Sequence, residues 1–299
     1  MGKIVVVGSS NVDLTAIVKT LPRPGETIGG ASLLQANGGK GANQAVAAAR
    51  LGGEVLFLTS VGDDNHGHML ESQFSSDGIN VSKMKFVKDT PTGVALIFVD
   101  ANGENCIAVA PGANNLLLPS DIDAAEEYIK DADYLLIQLE IPMETVQYAV
   151  DVAYRNNVKV VLNPAPMCML SEDILSKIYL ITPNETEAEK LTGVVVNNME
   201  NAMLAVSKLK SKGVKNVIIT LGSQGSYMDF ENVKEHIEAT KVVAVDTTAA
   251  GDVYNGALVA ALSEGQDPVQ ACKFASLASA ISVTRKGAQT SVPYKSEVK

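Results

Sequence analysis

Apolar runs that alternate with helical patterns constrain the fold of this chain more than any other feature. Six runs rich in β-branched residues predict buried strands, at 3–8, 54–62, 133–140, 158–165, 179–184 and 214–222. Eight helices are predicted around them, at 41–51, 65–77, 120–130, 143–156, 185–192, 199–211, 252–264 and 267–284. This alternation predicts an α/β fold in which a mostly parallel central sheet is flanked by helices on both faces, as a single domain over residues 1–299.

Two segments depart from this alternation. Residues 13–37 contain several prolines and glycines, and residues 91–109 have the pattern of a hairpin that turns at "DANGEN". We interpret the two segments as a small antiparallel β-sheet that is inserted into the main domain as a lid. A solvated surface hairpin is the alternative interpretation of the second segment.

The charge and hydropathy of the chain exclude several classes of function. A formal net charge of −10 argues against a protein that coats nucleic acid or an anionic membrane. It still permits a small anionic ligand, because backbone amides bind phosphate without adding charge. The start of the chain reads as a strand rather than a signal peptide, and no apolar run reaches the roughly 18 residues of a membrane span. We therefore expect a cytoplasmic protein whose three cysteines, Cys106, Cys168 and Cys272, are free thiols.

Polar residues follow several of the predicted parallel strands. "GSSNVD" follows the first strand, "LE" closes the strand at 133–140, "PNETEAE" follows the strand at 179–184, and "LGSQGS" follows the last one. Ligands bind to open α/β sheets at the carboxyl ends of the strands. These four stretches therefore predict one site at one edge of the sheet.

The stretch "DTTAAGDVYNGAL" places Asp252 after three small residues, at the start of a predicted helix. One interpretation is an N-cap aspartate that starts the helix. The other is a phosphate cradle that carries a base, because the first turn of a helix has unpaired amides and a positive dipole end. The second interpretation also accounts for the small residues and for the nearby acid Asp246.

The stretch "NGGKGAN" surrounds Lys40 with Gly38, Gly39 and Gly41 and leads into a helix at Asn43. It matches neither the G-x-G-x-x-G dinucleotide pattern nor the P-loop pattern. Either it is a tight turn with a helix cap, or its amides and Asn43 bind a ligand with several hydroxyl groups.

The stretch "NETEAE" begins another predicted helix with Asn184 and three glutamates. A well-capped, solvated acidic turn explains this pattern. A site that organises Mg²⁺ and phosphate, in which Glu187 and Asn184 hold metal-bound water, explains it equally well.

Taken together, these motifs resemble the ribokinase family of sugar and nucleoside kinases from about residue 3 to residue 293. "DTTAAGDVYNGAL" resembles the family's C-terminal signature D-T-x-x-A-G-D, and "GGKGANQAVAAARLG" resembles its N-terminal signature. "PNETEA", "TLGSQG" and "VTRKGAQTSVP" match further blocks. "NVD", "GGKGAN" and "QLE" together indicate the branch of the family that acts on ribose.

The resemblance implies transfer of the γ-phosphoryl group of ATP to the 5-hydroxymethyl group of D-ribose, with Asp252 as the general base. It implies an anion hole at Ala249, Ala250, Gly251 and Asp252. The residues implied to bind ribose are Asn11, Val12, Asp13, Gly39, Lys40, Gly41, Ala42, Asn43, Glu140 and Asp252. Those implied to contact ATP are Asn184, Thr220, Leu221, Gly222, Ser223, Gln224, Gly225, Gly251, Asp252 and Ser276.

The resemblance also implies metal ions and a partner subunit. Mg²⁺ would be held indirectly by Glu187, and K⁺ by Asp246, Thr248, Ser282, Arg285, Gly287 and Ser291. The segments around the K⁺ residues are rich in oxygen atoms, which suit a hard cation, although two ordinary turns would look the same. The resemblance further implies a homodimer that forms through the lid.

Two positions depart from the family pattern. Val253 and Tyr254 replace the commoner Thr-Phe, which we expect to be tolerated packing, and Ser276 stands where an Asn often lies near the adenine. Alternative functions are phosphorylation of fructose, 2-keto-3-deoxygluconate or a nucleoside, a nucleotide-dependent oxidoreductase, and an inactive sensor of sugar and nucleotide. The missing G-x-G-x-x-G disfavours the oxidoreductase, and the intact Asp252 disfavours the sensor.

Overall fold

The computed structural model describes residues 2–231 and 233–299, and within these ranges it contains fourteen strands and ten α-helices. The strands are β1 (Lys3–Val7), β2 (Asn11–Ile17), β3 (Ser32–Gly38), β4 (Glu54–Leu58), β5 (Ser60–Gly62), β6 (Lys85–Val87), β7 (Gly93–Val99), β8 (Asn105–Ala110), β9 (Tyr134–Ile137), β10 (Lys159–Leu162), β11 (Leu180–Ile181), β12 (Asn216–Thr220), β13 (Ser226–Phe230) and β14 (Val233–Ile237). The helices are α1 (Lys40–Arg50), α2 (Asn65–Ser76), α3 (Pro119–Asp123), α4 (Glu126–Lys130), α5 (Met143–Arg155), α6 (Glu172–Lys177), α7 (Glu185–Thr192), α8 (Met199–Ser211), α9 (Ala250–Ser263) and α10 (Pro268–Val283).

An eight-stranded sheet forms the centre of the fold, in the order β14-β13-β12-β11-β10-β9-β1-β4. All pairs from β4 to β12 are parallel, and the pairs β12–β13 and β13–β14 are antiparallel, so that β13 alone runs against the other strands. The predicted fold class, a mostly parallel sheet with helices on both faces, is confirmed.

Both faces of this sheet are buried, which explains why its strands are apolar at successive positions. In β1, Ile4 and Val6 belong to a core that includes residues of α1, α9 and α10. Val5 and Val7 belong to a second core on the opposite face, with residues of α5 and α8. A strand covered on both sides has no solvent-facing position for a polar residue.

The structure differs from the prediction at several strands. The predicted strand 54–62 divides at Thr59 into β4, in the central sheet, and β5, which pairs with β6. Strands β6, β13 and β14 lie outside the predicted strands. Strand β13 is fully buried but contains Ser226 and Asp229, which interrupt the apolar run, and Asp229 is paired with Lys210 and Lys234.

Seven of the eight predicted helices begin and end within two residues of the predicted bounds. The prediction of one helix over 120–130 is wrong, because this segment forms the two short helices α3 and α4. The buried Ala125 lies at the break, and its amide donates to the Ile122 carbonyl oxygen, three residues back, at 3.0 Å. This tighter turn ends the α-helical pattern. Helix α6 was not predicted.

The two segments that depart from the strand–helix alternation form one four-stranded sheet, in the order β3-β2-β7-β8, which we call the lid sheet. The hairpin predicted at "DANGEN" is confirmed, since β7 and β8 are antiparallel and the Asp100 amide donates to the Glu104 carbonyl oxygen at 2.9 Å. The sheet is not wholly antiparallel, because β2 and β7 are parallel. Its movement as a lid stays a prediction.

None of the helices in the described ranges is both long enough and apolar enough to cross a membrane.

Candidate active site

The polar loops predicted to converge do meet at the carboxyl edge of the central sheet. The Ser9 hydroxyl, after β1, donates to Oε2 of Glu140, after β9, at 2.6 Å. The same oxygen accepts from the Lys40 amide at the start of α1 at 3.0 Å. Asn184 and Thr220 form a parallel bridge between the loops that follow β11 and β12. The parallel order of the strands therefore brings four distant segments to one place.

Asp252 lies at the centre of this edge. Helix α9 begins at Ala250, so that Asp252 is its third residue, and the N-cap is Ala249 in the left-handed region with a φ of 59°. The Asp252 carboxylate accepts from Asn43 Nδ2 at 3.0 Å and from Gln44 Nε2 at 2.9 Å. Asp252 does not cap the helix, so the N-cap interpretation is wrong.

The electrostatic surroundings of Asp252 include one cation and two further acids. Burial raises the pKa of the Asp252 carboxyl, while Lys40 and the amides of Asn43 and Gln44 oppose this shift. Burial lowers the pKa of Lys40, but the nearby Asp252, Glu140 and Glu187 outweigh burial and the net shift is upward. Lys40 is therefore charged at neutral pH, and it lies near the Asp252 carboxyl, whose ionisation is disfavoured by burial.

The start of α9 offers free backbone donors. Within the ranges that the structure describes, the amides of Gly251 and Asp252 donate to no protein acceptor. A Cβ built on Gly251 meets no protein atom within 4 Å, so the packing of the protein does not require a glycine there. Unpaired amides at the positive end of a helix dipole, beside open space, fit a phosphate group.

The residues expected to hold the sugar lie between β2 and α1. Asn11 is buried, and its Oδ1 accepts from Asn114 Nδ2 at 2.8 Å. Burial, with a smaller contribution from Glu140, raises the pKa of Asp13 to about 6. Gly39 has a φ of 89°, and a Cβ there would lie 2.8 Å from the Asn11 amide nitrogen. The glycine loop thus folds tightly against β2 and leaves the polar side chains beside each other.

Two of the predicted sugar-binding residues present no side chain to a ligand. Val12 and Ala42 are fully buried in the core, and the Ala42 amide donates to the Ser9 carbonyl oxygen at 2.8 Å. Gly41 approaches β1 so closely that a Cβ would lie 2.5 Å from the Gly8 carbonyl carbon. These three residues shape the loop.

A cavity of about 520 Å³ opens on one side of α9. Most of the residues predicted to contact ATP line it, namely Asn184, Thr220, Gly222, Ser223, Gly225, Gly251 and Ser276. Three predicted residues do not line this cavity: Leu221 is buried, the Gln224 carbonyl accepts a hydrogen bond from His236 Nε2, and Asp252 lies in the wall of a second cavity.

A smaller cavity of about 200 Å³ contains Lys40 and Asp252 in its wall. Both cavities share Asn184, Thr220, Thr247, Ala250 and Gly251. The free amides of α9 therefore stand where the two spaces meet. This arrangement allows a phosphate in the larger cavity to face a group held near Asp252 in the smaller one.

Sequence reasoning missed several residues of the site. Lys241 and Val242 line the larger cavity from an irregular segment that carries no pattern. Asn163 lines the smaller cavity and accepts from Gln44 Nε2 at 3.0 Å. Gln44 could have been selected from the sequence, because it follows Asn43 in the glycine-loop motif. Its contact with Asp252, however, depends on tertiary structure.

The positions that depart from the family pattern fit into the structure. Val253 is fully buried, and the Tyr254 hydroxyl lies 3.1 Å from Ser226 Oγ. Tyr254 and Ser276 both line the larger cavity. The Tyr254 ring is therefore both core packing and part of the cavity wall.

The residues predicted to hold a monovalent cation come from two segments that the fold brings together. Asp246 Oδ2 accepts from the Gly287 amide at 2.8 Å, and Oδ1 accepts from the Thr248 amide at 2.9 Å. Burial raises the pKa of Asp246, but the hydrogen bonds from Thr248 and Gly287 outweigh burial and the net shift is downward. Asp246 is thus an ionised anchor between the two segments.

The other members of this set are partly engaged. The hydroxyls of Ser282 and Ser291 donate to backbone carbonyls of Ser279 and Ala288, at 2.8 and 2.7 Å. The guanidinium of Arg285 pairs with Glu297 at 2.6 Å. These residues can therefore bind an ion only through the lone pairs of their hydroxyl oxygens and through their backbone carbonyls.

Glu187 and Asn184 form a reciprocal capping box at the start of α7. The Asn184 amide donates to Glu187 Oε2 at 2.9 Å, and the Glu187 amide donates to Asn184 Oδ1 at 2.8 Å. Both residues line the smaller cavity. In residues 2–231 and 233–299 no group of three His, Cys, Asp or Glu side chains could ligate a metal directly. A divalent ion here would therefore depend on water and phosphate oxygens.

Comparison with known proteins gives a consistent result. The pfkB family carbohydrate kinase model matches residues 1–295. A ribokinase of Haemophilus influenzae is 45% identical over 98% of this chain and 96% of its own length. A deoxyribokinase of Salmonella typhi is 40% identical over 97% and 95%.

A solved structure of Arabidopsis thaliana ribokinase, complexed with ribose and ATP, covers 99% of this chain and 97% of its own. Its sequence identity is 32%, with a TM-score of 0.93. From the family match, these identities and the shared fold, the chain belongs to the pfkB family of carbohydrate kinases.

Proposed function

We propose that this protein is a ribokinase, which transfers the γ-phosphoryl group of ATP to the 5-hydroxyl of D-ribose and forms D-ribose 5-phosphate. One observation supports this proposal most directly: Gly251, with a free amide, lines both a cavity of nucleotide size and a smaller polar cavity whose wall contains Asp252. The ribokinase relatives, at up to 45% identity over nearly the whole chain, agree with it.

Asp252 acts in this proposal as the general base for the attacking hydroxyl. Phosphoryl transfer depends mainly on in-line positioning and on stabilisation of charge. The amides of Gly251 and Asp252 donate to the transferring group and form the anion hole. Ala249 and Ala250 complete its backbone, although the Ala250 amide donates to the Thr247 carbonyl oxygen at 3.2 Å. Lys40 adds a positive charge beside the same space.

Ribose binds against the lid sheet and reaches the edge of the smaller cavity, where Lys40 and Asp252 are the two members of its predicted set that line the wall. Asn11 and Asp13 bond vicinal hydroxyls, and Asn43 and Glu140 bond the remaining ones, with the backbone of Gly39, Lys40 and Gly41 closing the loop. A sugar that lacks one of these hydroxyls leaves a buried group unpaired, which lowers its kcat/KM.

ATP binds in the larger cavity. The cavity is lined by residues of the loops after β11 and β12, namely Asn184, Thr220, Gly222, Ser223 and Gly225, and by Ser276 of α10. Gly222 has a φ of 53°, and a Cβ there meets no protein atom within 4 Å, so it resembles Gly251 in leaving open space for a ligand.

Two metal ions complete the proposal. Mg²⁺ supplies charge neutralisation for the phosphates, and Glu187 would hold it through bound water. K⁺ would be held by oxygens of Asp246, Thr248, Ser282, Arg285, Gly287 and Ser291. Asp246 fixes the segment before α9, because its carboxylate accepts a hydrogen bond from the Gly287 amide.

A homodimer through the lid sheet completes the assembly. Leu34, Ile107 and Val109 are each more than half exposed. The strand register places them on the face of the sheet that also carries Asp13. An apolar face of this kind is covered by a partner in most soluble proteins. The cytoplasmic location stays a prediction.

The proposal is tested by the formation of ADP with a panel of acceptors: D-ribose, 2-deoxy-D-ribose, D-fructose, 2-keto-3-deoxygluconate and adenosine. We expect the highest kcat/KM with D-ribose and a sugar phosphate formed in equal amount to ADP. A higher kcat/KM with any other acceptor would assign the enzyme to another branch of the family.

One second candidate has a specific observation in its favour. The deoxyribokinase relative is 40% identical, only slightly less than the first ribokinase. Phosphorylation of 2-deoxy-D-ribose is therefore the alternative to measure most carefully, and the ratio of the two kcat/KM values decides between them.

A further inference from the structure

A continuous series of buried side-chain amides surrounds the proposed base. Gln44 is fully buried, and its Nε2 donates to Asp252 Oδ1 at 2.9 Å and to Asn163 Oδ1 at 3.0 Å. Its Oε1 accepts from Gln138 Nε2 at 2.6 Å. The orientation of this amide is fixed by chemistry, since a carboxylate only accepts hydrogen bonds.

The series continues to the backbone of the anion hole. Asn163 Nδ2 donates to the Thr182 carbonyl oxygen at 3.2 Å, and the Thr182 hydroxyl donates to Asn255 Oδ1 at 2.5 Å. Asn255 Nδ2 donates to the Gly251 carbonyl oxygen at 2.8 Å. The hydrogen bonds thus form a ring that begins at the Asp252 carboxylate and ends at the backbone carbonyl of the preceding residue, Gly251.

The ring is buried although all of its side chains are polar, and three of its members, Asn163, Thr182 and Asn255, also line the smaller cavity. Gln44, Asn163, Thr182 and Asn255 are each no more than 7% exposed. Burying such groups is favourable only when each has its partners, and bonded members hold each other in one arrangement. Each of these four side chains is bonded, whereas the neighbouring Gln138 Oε1 and Asn43 Oδ1 are buried without a protein partner in the described residues. The ring therefore stands where apolar side chains could pack, and its hydrogen bonds fix the geometry of the site.

We propose that Gln44 is a positioning residue, which orients the Asp252 carboxylate and couples it through Asn163, Thr182 and Asn255 to the backbone of the anion hole. This inference rests on the proposed function and deepens it. Gln44 touches neither sugar nor nucleotide in this assignment; it acts only through the base.

The proposal has a consequence for the pH profile. The charged groups that face Asp252 are Lys40, Glu140 and Glu187. Gln44 stabilises the ionised carboxylate as a hydrogen-bond donor, so its removal leaves burial less opposed and raises the pKa of Asp252. The acidic limb of the kcat profile then moves to higher pH.

The test compares Gln44→Met, Asn163→Leu and the double variant with the wild type. Methionine keeps the length of glutamine and removes both polar groups. We expect kcat to fall about 10- to 100-fold in Gln44→Met, while KM for ribose changes less than about 3-fold. The acidic limb should shift upward, and the double variant should lose less than the product of the two single losses.

Asn216→Leu is the matched control. Asn216 is also a buried amide, and it bonds the backbone of Tyr179 and Glu231 away from both cavities. We expect a similar loss of thermal stability with unchanged kcat and pH profile. If Gln44→Met yields no folded protein, Asn163→Leu carries the same test, because it removes the acceptor that holds the Gln44 amide. Asn163 also lines the smaller cavity, so this variant must show the lower kcat and the shifted acidic limb at a KM for ribose within about 3-fold of wild type.

A kcat within 3-fold of wild type, or an acidic limb that does not move, would overturn the positioning role. So would losses that multiply in the double variant, because they would show that the two amides act independently. The wild-type rate with ribose tests the proposed function alone, whereas the ratio of variant to wild type tests the inference.

Discussion

Asn43 Nδ2 donates to Oδ2 of Asp252 at 3.0 Å, although 209 residues separate the two in the chain. This bond joins the glycine loop at the start of α1 to the first turn of α9. It places the residues expected to bind the sugar directly against the proposed base. The two signature motifs therefore form one site, and we expect a substitution in either motif to change the geometry of the other.

Gly251→Ala should separate stability from catalysis. A Cβ at this position meets no protein atom within 4 Å, so we expect thermal stability equal to or slightly above that of the wild type. The methyl group would enter the space next to the free amides, so we expect kcat to fall about 10- to 100-fold. Calorimetry and steady-state kinetics on the same preparation measure both effects.

Gly29→Ala is the matched control, because a Cβ there also meets no protein atom within 4 Å and Gly29 lines neither cavity. Unchanged kcat in both variants would show that Gly251 faces no phosphate.

The raised pKa of Asp13 predicts a pH-dependent gain in stability on replacement by Asn. The pKa is about 6 in the folded protein, against an ordinary value of 3.8 for an aspartate. The folded state therefore binds the proton more tightly than the unfolded state, and ionisation of Asp13 destabilises the fold as pH rises from about 4 to 6. Asp13→Asn should thus melt at higher temperature than wild type at pH 8.

This difference should shrink below pH 4, where both states of the wild-type carboxyl are protonated. Thermal melts across this range measure it, and KM for ribose should rise in the variant because a sugar contact changes. Equal melting temperatures of Asp13→Asn and the wild type at pH 8 would contradict the raised pKa of Asp13, because ionising its carboxyl would then not destabilise the fold.

The polar contacts of Asp246 predict activation by a monovalent cation. With chloride salts at constant ionic strength, K⁺ should raise kcat clearly above Na⁺ or choline. Asp246→Ala should remove the difference, because Asp246 ties the segment before α9 to Gly287. Asp267→Ala, which removes the N-cap of α10, is the control and should keep the ratio between the salts. Equal rates of the wild type in all three salts would refute the cation site.

The strand register divides the exposed apolar residues of the lid sheet between two faces, and we expect the face that carries Asp13 to form the dimer. Leu34 lies on the face that carries Asp13, and the adjacent Leu33 points to the opposite face. We expect Leu34→Glu to give monomers in sedimentation velocity at micromolar concentration, while Leu33→Glu stays dimeric. A wild-type monomer, or dissociation by Leu33→Glu alone, would contradict this assignment.

The fold was predictable to a large extent because its signals are local. Continuous apolar runs identified the parallel strands, whose residues alternate between two buried faces. The same signal fails at β13, where the buried Asp229 depends on Lys210 and Lys234 from other elements. It fails again at Ala125, where one tighter turn divides a helix that the periodicity joins.

The site was predictable only where a motif carries its own chemistry. The small residues before Asp252 indicated an anion site, and the free amide of Gly251 agrees with that reading. The partners of the carboxylate could not be derived, because Gln44 and Asn163 reach it only after the sheet and α1 have assembled. Lys241 belongs to an irregular segment, so no periodicity pointed to it.

The central claim is that Asp252 is the base for phosphoryl transfer from ATP to ribose, and Asp252→Asn tests it most directly. Asparagine keeps the shape of the side chain, so ribose and ATP should still bind with nearly unchanged affinity in titration calorimetry. The kcat for ribose-dependent ADP formation should fall about 10²- to 10⁴-fold, the usual loss when a general base is removed. A variant that binds both substrates and retains more than about a tenth of the wild-type kcat would contradict this role for Asp252.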